Sequence, residues 1–182
     1  NEEKNDIVKY VNEYIKNNEK KDRIVSISDI GRVKKYTLNN EYIGANQIRE
    51  CVKIEDGCNN FCSYCIIPYV RGRVRSRSIE DILNEARKCV EKGAKEIVLV
   101  GIEIASYGTD LDQNFSLIDV IEQVSKIDGL YRLRLGSIEP RWLSDENILR
   151  LSKIQNLCHH FHISVQSLDN EVLKRMNRKY TR

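Results

Sequence analysis

Hydrophobic and polar positions alternate along this chain with two different periods. Over residues 4–19 the apolar side chains recur every three or four positions, which predicts an amphipathic helix. The next segment, 20–47, is charged and is interrupted by Gly31 and Gly44, so we expect a short strand followed by a linker. The pattern changes after residue 47 and predicts a domain boundary there.

From residue 48 onward, short β-type runs alternate with amphipathic segments. The runs predict strands over 48–55, 96–100, 130–135 and 160–166. The segments between and after them predict helices over 115–128 and after Ser78, Ser144 and Asp169, three residues typical of N-caps. Strands that alternate with helices predict a parallel sheet with right-handed crossovers. Four such βα units, against the eight of a complete barrel of ~250 residues, predict an α/β fold of the partial, TIM-like barrel type.

Polar residues follow the predicted strands at the end where such folds bind their ligands, the carboxyl end. The first strand leads into a cysteine-rich loop, and the second is followed by Gly101 and Glu103. Ser137 and Glu139 follow the third strand, and Gln166 ends the fourth. We therefore expect these residues to line one site. Two plainer interpretations stay open, because Gly101 would also end a strand and Glu139 would also serve as a surface carboxylate.

Three cysteines form the most specific chemical pattern of the chain. Cys58, Cys62 and Cys65 have the spacing C-x3-C-x2-C, in which three thiolates can close on one iron–sulfur cube and leave its fourth iron open to a substrate or cofactor. A zinc site would need a fourth ligand, and the three histidines lie far along the chain. Disulfides fit poorly with 31% charged residues and no apolar signal segment. The spacing favours a cluster, with zinc or ordinary buried thiols as the alternatives.

Composition restricts the partners only loosely. The 182 residues carry a net charge of +3, which permits a nucleic-acid partner without requiring one. The sequence has no run of eighteen apolar residues, so we predict no membrane span and expect a cytoplasmic protein.

Four arginines follow the cysteine loop with a period of two. Arg71, Arg73, Arg75 and Arg77 would share one side of an extended segment, where they would suit contacts with nucleic-acid phosphates. A solvated, charged strand edge is the alternative interpretation.

The predicted fourth strand has a polar face. His160, His162, Ser164 and Gln166 alternate with apolar residues and would share one side. A polar face inside a barrel predicts a ligand cavity. A C-x-H-x-H metal site that includes Cys158 is the rival interpretation.

Several motifs in one order identify a family. They are CVKIEDGCNNFCSYCIIPYVRGRVRSR, EIVLVGIEIASYG, RLRLGSIEP, HFHISVQS and LKRMNRKYT. Together they resemble the methylthiotransferases of the radical S-adenosylmethionine (SAM) superfamily. The resemblance is greatest to the branch that acts on threonylcarbamoyladenosine beside the anticodon of tRNA, a branch favoured by RGRVRSR and GSIEP.

The resemblance implies a [4Fe–4S] cluster held by the cysteine loop, with SAM on its open iron. An electron from a donor such as flavodoxin or ferredoxin would then split SAM to a 5′-deoxyadenosyl radical. Tyr64 matches the aromatic position beside the adenine, although an ordinary loop aromatic is an equal alternative. Glu103 falls where the superfamily holds the methionine amino group.

Further SAM contacts follow from the same resemblance. Gly101, Ser137 and Glu139 would line the pocket, and Gln166 would reach the ribose. Arg178, in MNRKYT, matches the position that pairs with the SAM carboxylate, for which a guanidinium has the favoured bidentate geometry.

The resemblance also implies a division of the chain and of the chemistry. Residues 1–47 would be the tail of an amino-terminal methylthiotransferase domain with its linker, and residues 48–182 a partial radical SAM core. Cys51, Cys89 and Cys158 are expected to be buried small residues, so a second cluster is expected only in the complete protein.

The implied function is methylthiolation of threonylcarbamoyladenosine in tRNA. The alternatives are another tRNA adenosine or a ribosomal protein as substrate and, from a different class, a non-catalytic RNA-binding module with a structural metal.

Overall fold

A parallel sheet of three strands forms the centre of the protein. The structure is a computed structural model and describes residues 2–16, 23–37, 47–112 and 115–182. In these ranges the strands are β1 (Arg49–Lys53), β2 (Glu55–Asp56), β3 (Arg75–Ser76), β4 (Glu96–Val100), β5 (Arg132–Leu135), β6 (Ser137–Ile138) and β7 (His162–Ile163). The α-helices are α1 (Ile7–Lys16), α2 (Ile67–Val70), α3 (Ile79–Glu91), α4 (Leu117–Val124), α5 (Asp145–Leu151) and α6 (Asn170–Arg175).

One face of the central sheet carries the hydrophobic core. The strand order is β1-β4-β5, and both pairs are parallel. Val52, Ile97 and Leu133 are fully buried, one from each strand, together with Ile82 of α3 and Ile121 of α4. Helices connect the parallel strands and cover this face, as the βα units predicted from the sequence require.

The opposite face of the sheet is charged. Glu96 of β4 is 1% exposed and lies within 2.9 Å of the Nε atoms of Arg49, Arg132 and Arg134. Arg49 and Arg132 are the register neighbours of Glu96, so adjacent strands direct these side chains to the same face. Burial alone would raise the pKa of Glu96, but the hydrogen bonds from Arg134 and Arg132 and the charge of Arg49 hold it below its usual value.

The helix starts predicted from the sequence are confirmed. Ser78, Ser144 and Asp169 each accept a hydrogen bond from the first turn of α3, α5 and α6. In α4 the carboxylate of Asp119 accepts from both the N–H and the hydroxyl of Ser116, at 2.8 and 2.7 Å. The parallel pairing of β1, β4 and β5, with helices between successive strands, confirms the predicted α/β fold of the partial-barrel type.

The first and fourth predicted strands are shorter than expected. The first is divided at residue 54, and β2 pairs antiparallel with β3. Of the range 160–166, only the two residues of β7 form a strand, which pairs with β6. The N–H groups of His160 and Val165 instead bond the carbonyl two residues earlier, and Gln166 has φ of 64°. These tight turns end the ladder and disperse the polar face predicted for this strand.

The segment before the sheet agrees with the sequence only in part. The predicted first helix is present as α1, but all its described side chains lie outside the core. Residues 23–29, where a strand was expected, have no regular secondary structure, and a 3-10 turn follows over Ile30–Arg32. That expectation was wrong, since no strand among the described residues pairs with this segment. Residues 20–22 and 38–46 of the expected linker lie outside the described residues.

The structure also bears on the predicted lack of a membrane span. Within the described ranges, no helix is long and apolar enough to cross a membrane.

Candidate cluster and cofactor site

The cysteine loop lies between β2 and α2, beyond the carboxyl end of β1. Cys58 and Cys62 are each 9% exposed, and Cys65 is half-buried. Gly57 has φ of 84°, and a Cβ there would lie 1.9 Å from the carbonyl oxygen of Arg73. Only glycine fits this close approach of two backbone segments. The sequence therefore places three free thiols on one tightly turned loop.

The buried thiols need a positive group to carry a negative charge. Burial raises the pKa of the Cys58 thiol to about 11, although the N–H of Asn60 opposes the shift. The charges of Glu103 and Cys62 raise it further. A thiolate in this position is stable only beside a cation, which is the role an iron atom would have here.

The carboxyl-terminal segment 176–180, which we call the clasp, holds the cysteine loop from the other side. The N–H of Ser63 donates to the carbonyl of Met176 at 3.1 Å. The side-chain amide of Asn177 donates to the carbonyl of Phe61 at 2.8 Å. Asn177 itself has φ of 57°, a left-handed conformation that asparagine tolerates. More than a hundred residues of sequence separate the two segments that meet here.

Arg178 is the charged residue of the clasp. Its side chain is 5% exposed, and Nη1 lies 3.2 Å from the Sγ atom of Cys62. Nη2 lies 3.4 Å from Oε1 of Glu139, and Nε donates to the hydroxyl of Tyr180 at 3.2 Å. Arg178 thus contacts one predicted cluster ligand directly, and its predicted pairing with the SAM carboxylate stays a prediction.

Glu55 is a buried carboxyl group that sequence reasoning missed. It is 0% exposed, and its Oε1 accepts a hydrogen bond from the backbone N–H of Glu103 at 2.6 Å. Burial raises the pKa of Glu55 to about 8, more than the hydrogen bonds from Glu103 and Ile102 lower it. The only indication in the sequence was a pair of acidic residues at the end of an apolar strand.

Gly101 is explained by the same carboxyl group. A Cβ at Gly101 would lie 2.2 Å from Oε1 of Glu55, so a side chain there would displace the buried acid. Glu55 therefore fixes the backbone that leads from β4 to Glu103. A direct contact of Gly101 with SAM stays a prediction.

Glu103 follows β4, Glu139 follows β6, and the charge of Glu139 acts on Glu103. Burial and then the charge of Glu139 raise the pKa of Glu103 to about 7. The Oε1 atom of Glu103 is buried and has no hydrogen-bond partner in the described part of the chain. Glu139 is 3% exposed and accepts from Nη2 of Arg141 at 2.8 Å, so the surface-carboxylate interpretation is wrong.

The remaining predicted cofactor contacts are less buried. Tyr64 is 52% exposed, and burial followed by the charge of Cys62 raises the pKa of its hydroxyl. Ser137 is exposed, with its Oγ 2.9 Å from Nδ1 of His162. Gln166 is exposed at the left-handed turn after β7. The SAM contacts of Tyr64, Ser137 and Gln166 stay predictions.

The four arginines after the loop do not share an exposed side. Arg75 is 2% exposed and donates to the carbonyls of Arg71 and Arg73. Arg77 is 5% exposed and pairs with Glu85 of α3 at 2.6 Å. The expectation of four arginines on one exposed side is wrong, because β3 spans only two residues and Arg75 and Arg77 are buried in internal contacts.

The other two arginines of this set differ from each other. Arg71 forms a two-atom contact with Asp56, at 3.0 Å from Nε and 2.6 Å from Nη2. Arg73 is exposed, and its guanidinium lies 4.3 Å from the centre of the Phe61 ring. Phosphate binding stays a prediction for the set, and exposure favours Arg73.

The expectation for the remaining cysteines is confirmed only in part. Cys89 is buried, but Cys51 is exposed and Cys158 is half-buried, so the expectation of three buried residues was wrong for two of them. The reason is that Cys51 occupies an outward position of β1. Among the described residues no three His, Cys, Asp or Glu side chains are placed to hold a single metal ion, neither in the C-x-H-x-H set nor in the cysteine loop, so the C-x-H-x-H site is without support.

These observations fit a cluster better than a single ion. A cube spreads its thiolates over several irons, whereas a zinc ion draws four ligands around one centre. The unpaired oxygen of Glu103 beside the loop would suit a cationic group, such as the amino group of an amino acid. Cys58, Cys62 and Cys65 would hold the cluster, and Glu103 would face its ligand.

Fold and site together define a class of protein built around a three-cysteine loop at the mouth of a partial barrel. The chain belongs to the Radical SAM superfamily, whose family model matches residues 52–182. This membership confirms the predicted cofactors, a [4Fe–4S] cluster and SAM.

Curated relatives extend the comparison. The chain is 41% identical over 178 residues to the tRNA-2-methylthio-N(6)-dimethylallyladenosine synthase of Clostridium botulinum (strain Loch Maree / Type A3), covering 98% of this chain and 37% of the relative. It is 47% identical over 136 residues to the enzyme of the same name from Desulfitobacterium hafniense (strain Y51), covering 75% and 30%. The chain thus spans about a third of the length of these relatives. The predicted resemblance to tRNA methylthiotransferases is confirmed, but both relatives are named for dimethylallyladenosine.

Two solved structures share the fold. The radical SAM methyltransferase TsrM from Kitasatospora setae has a TM-score of 0.58 and 16% identity, over 72% of this chain and 26% of its own. The cobalamin-dependent radical enzyme OxsB has a TM-score of 0.52 and 19% identity, over 72% and 20%.

Proposed function

We propose that this chain is the SAM-binding part of an enzyme that adds a methylthio group to an N6-substituted adenosine of tRNA. The observation that carries the proposal is the loop of three free cysteines next to the unpaired carboxylate oxygen of Glu103. The relatives, which align with 98% and 75% of the chain, support tRNA as the substrate. An electron donor such as flavodoxin or ferredoxin is part of the proposal, as are a cytoplasmic location and a domain boundary at residue 47.

The residues of the site have separate roles in this proposal. When bound, the cluster would supply the electron that splits SAM into methionine and a radical able to take hydrogen from an unactivated C–H bond. Cys58, Cys62 and Cys65 would hold the iron. Glu103 would accept hydrogen bonds from the SAM amino group, and Glu55 would keep the backbone of Glu103 in place.

The substituent on the adenosine has two candidates. RGRVRSR and GSIEP favour threonylcarbamoyl, whereas the relatives support dimethylallyl. In the structure, however, Arg75 and Arg77 are buried in internal contacts and Glu139 is held by two arginines. These motif residues therefore have structural roles, which weakens the argument for threonylcarbamoyl. Undermodified tRNAs that carry one substituent or the other distinguish the two.

The proposal is tested first on the chain itself, by iron and sulfide analysis after anaerobic reconstitution. Replacing Cys58, Cys62 and Cys65 together by Ala is expected to abolish the brown chromophore. Cys89→Ala is the matched control, because this buried thiol of α3 lies outside the loop. Full iron and sulfide in the triple variant would refute the ligand assignment, and bound zinc without sulfide would favour a structural module.

The substrate is tested on the complete enzyme that contains this chain. After incubation with SAM and reductant, we expect methylthiolated adenosine in digests of tRNA and no methylthiolated residue in digests of ribosomal protein. The reverse result would make the protein a protein methylthiotransferase.

A further inference from the structure

An exposed apolar surface adjoins the cysteine loop. Ile66, Tyr69 and Val70 of the loop and α2 are 66%, 68% and 48% exposed, and Tyr64 is 52% exposed. Such side chains rarely cluster on a solvent-facing surface without a binding role. Exposed apolar side chains therefore border the cysteine loop.

A cation lies on the same surface. The guanidinium of Arg73 lies 4.3 Å from the centre of the Phe61 ring, and the Tyr69 ring meets Phe61 edge-on, 5.6 Å away at 84°. Two other arginines of the same run, Arg71 and Arg77, form ion pairs with Asp56 and Glu85, respectively. Arg73 has no carboxylate within ion-pair distance among the described residues, so its charge remains available to an anion.

The backbone of this surface is held by the clasp. Phe61 has φ of 49°, and its carbonyl accepts a hydrogen bond from Asn177 of the clasp. The rings of Phe61 and Tyr69 and the guanidinium of Arg73 are already in contact, so binding would need little rearrangement, which lowers its entropic cost.

We propose that Tyr69, Phe61 and Arg73 form a stacking surface for an unpaired base of the RNA substrate. The proposal rests on the proposed function and identifies how the same site would hold its polyanion. Aromatic rings beside an unpaired arginine suit single-stranded RNA, because each nucleotide brings a π-face and a phosphate together. A protein partner would instead have to bring a carboxylate to Arg73. The base stacks on the free face of Tyr69, and Arg73 contacts the adjoining phosphate.

The chain contains a matched control for the experiment. Tyr131, before β5, is 69% exposed and also lies beside a cation, with Nζ of Lys95 5.1 Å from its ring centre. This pair is at the amino-terminal end of the central strands, away from the cysteine loop. Substitutions at Tyr131 and Lys95 therefore remove a phenol ring of nearly the same exposure and an exposed cation elsewhere on the surface.

The probe is an RNA anticodon stem-loop with 2-aminopurine in place of one loop adenosine, titrated with the reconstituted chain. Tyr69→Ala is expected to weaken binding about tenfold and to remove the quenching of 2-aminopurine that stacking causes. Tyr69→Phe should keep both, and Tyr131→Ala should change neither. Equal losses in the Tyr69→Ala and Tyr131→Ala variants, or unchanged binding in the first, would overturn the proposal.

Arg73 is tested through salt dependence. Arg73→Gln should lower the slope of log affinity against log salt by about one, the expectation for one lost phosphate contact, while Lys95→Gln leaves it unchanged. An unaltered slope in the Arg73 variant would show that Arg73 does not contact a phosphate of the RNA. Failure of the wild-type chain to bind the RNA overturns this proposal, whereas the proposed function is judged separately by cluster content and methylthiolated product.

Discussion

Two carboxyl groups, one on β4 and the other on β2, are buried in opposite electrostatic surroundings. Glu96 lies among three arginines, and its pKa is held low. Glu55 has no cationic partner among the described residues, and burial raises its pKa to about 8. Near neutral pH, Glu55 is therefore a neutral acid that binds the backbone, whereas Glu96 is an anion that links three strands.

The raised pKa of Glu55 predicts a pH-dependent cost to stability. Between its ordinary pKa of 4.5 and about 8, the unfolded chain loses this proton before the folded one does. Stability is thus fully present below pH 4.5 and falls as pH rises toward 8, by up to about 1.4 kcal/mol per pH unit. Glu55→Gln should remove this loss in urea unfolding of the reduced, metal-free chain. Glu91→Gln, an exposed position of α3, should leave the pH slope unchanged, and an unchanged slope in the Glu55 variant would contradict the prediction.

The contact between Gly101 and Glu55 predicts coupled mutations. Gly101→Ala should destabilise the chain by about 1–3 kcal/mol, because its Cβ would overlap the Glu55 carboxyl group. In a Glu55→Ala background the same substitution should cost clearly less. A double-mutant cycle by chemical denaturation measures the difference. Additive effects would mean that the glycine serves the backbone alone.

At the scale of elements, the sequence predicts those parts of the fold that depend on local pattern. The caps at Ser78, Ser144 and Asp169 and the continuous β-run of β4 give direct evidence of where elements begin and end. The fourth strand was overestimated because polar alternation does not reveal the tight turns around β7. The short strand expected before residue 30 failed for a similar reason, since apolar content alone does not provide a pairing partner.

In the candidate site, too, the sequence predicts the features that depend on local pattern and misses those that depend on distant contacts. The spacing of the cysteines could be read directly, and the family match supports their role. The arginine row was wrong because period-two spacing assumes a flat strand, whereas Asp56 and Glu85 draw Arg71 and Arg77 into internal ion pairs. Glu55 was missed because its importance depends on a contact 48 residues away, which no local pattern contains.

The clasp predicts a measurable effect on the cluster. Arg178 donates toward a cysteine sulfur, and hydrogen bonds to ligating sulfurs stabilise the reduced cluster and raise its potential. Arg178→Gln should therefore shift the potential of the reconstituted cluster to a more negative value in a spectroscopic redox titration without SAM. Arg175→Gln, exposed in the last turn of α6, is the control. An identical potential in the Arg178 variant would show that its contact with Cys62 does not persist once iron is bound.

At the scale of the whole molecule, the chain spans about a third of the length of its relatives. We therefore expect SAM binding and cleavage by this chain to be separable from methylthiolation of tRNA. We expect the reconstituted chain to bind SAM weakly and to release 5′-deoxyadenosine slowly under a strong reductant. We expect no methylthiolated tRNA, which mass spectrometry of digested tRNA would detect. Such a product from this chain alone would show that its residues suffice for sulfur insertion.

The position of the clasp in the sequence also bears on when the cluster is loaded during synthesis of the chain. The cysteine loop leaves the ribosome long before residues 176–180, which bind it across as many as 117 residues of sequence. Domains fold as the chain is made, so the thiols would stay open to iron and sulfide until α6 and the clasp are complete. The clasp would then close on the cysteine loop after the cluster has been loaded. A chain that ends at Arg175 should accept the cluster normally and lose it faster to a chelator than the full chain does, and equal rates of loss would rule out this order.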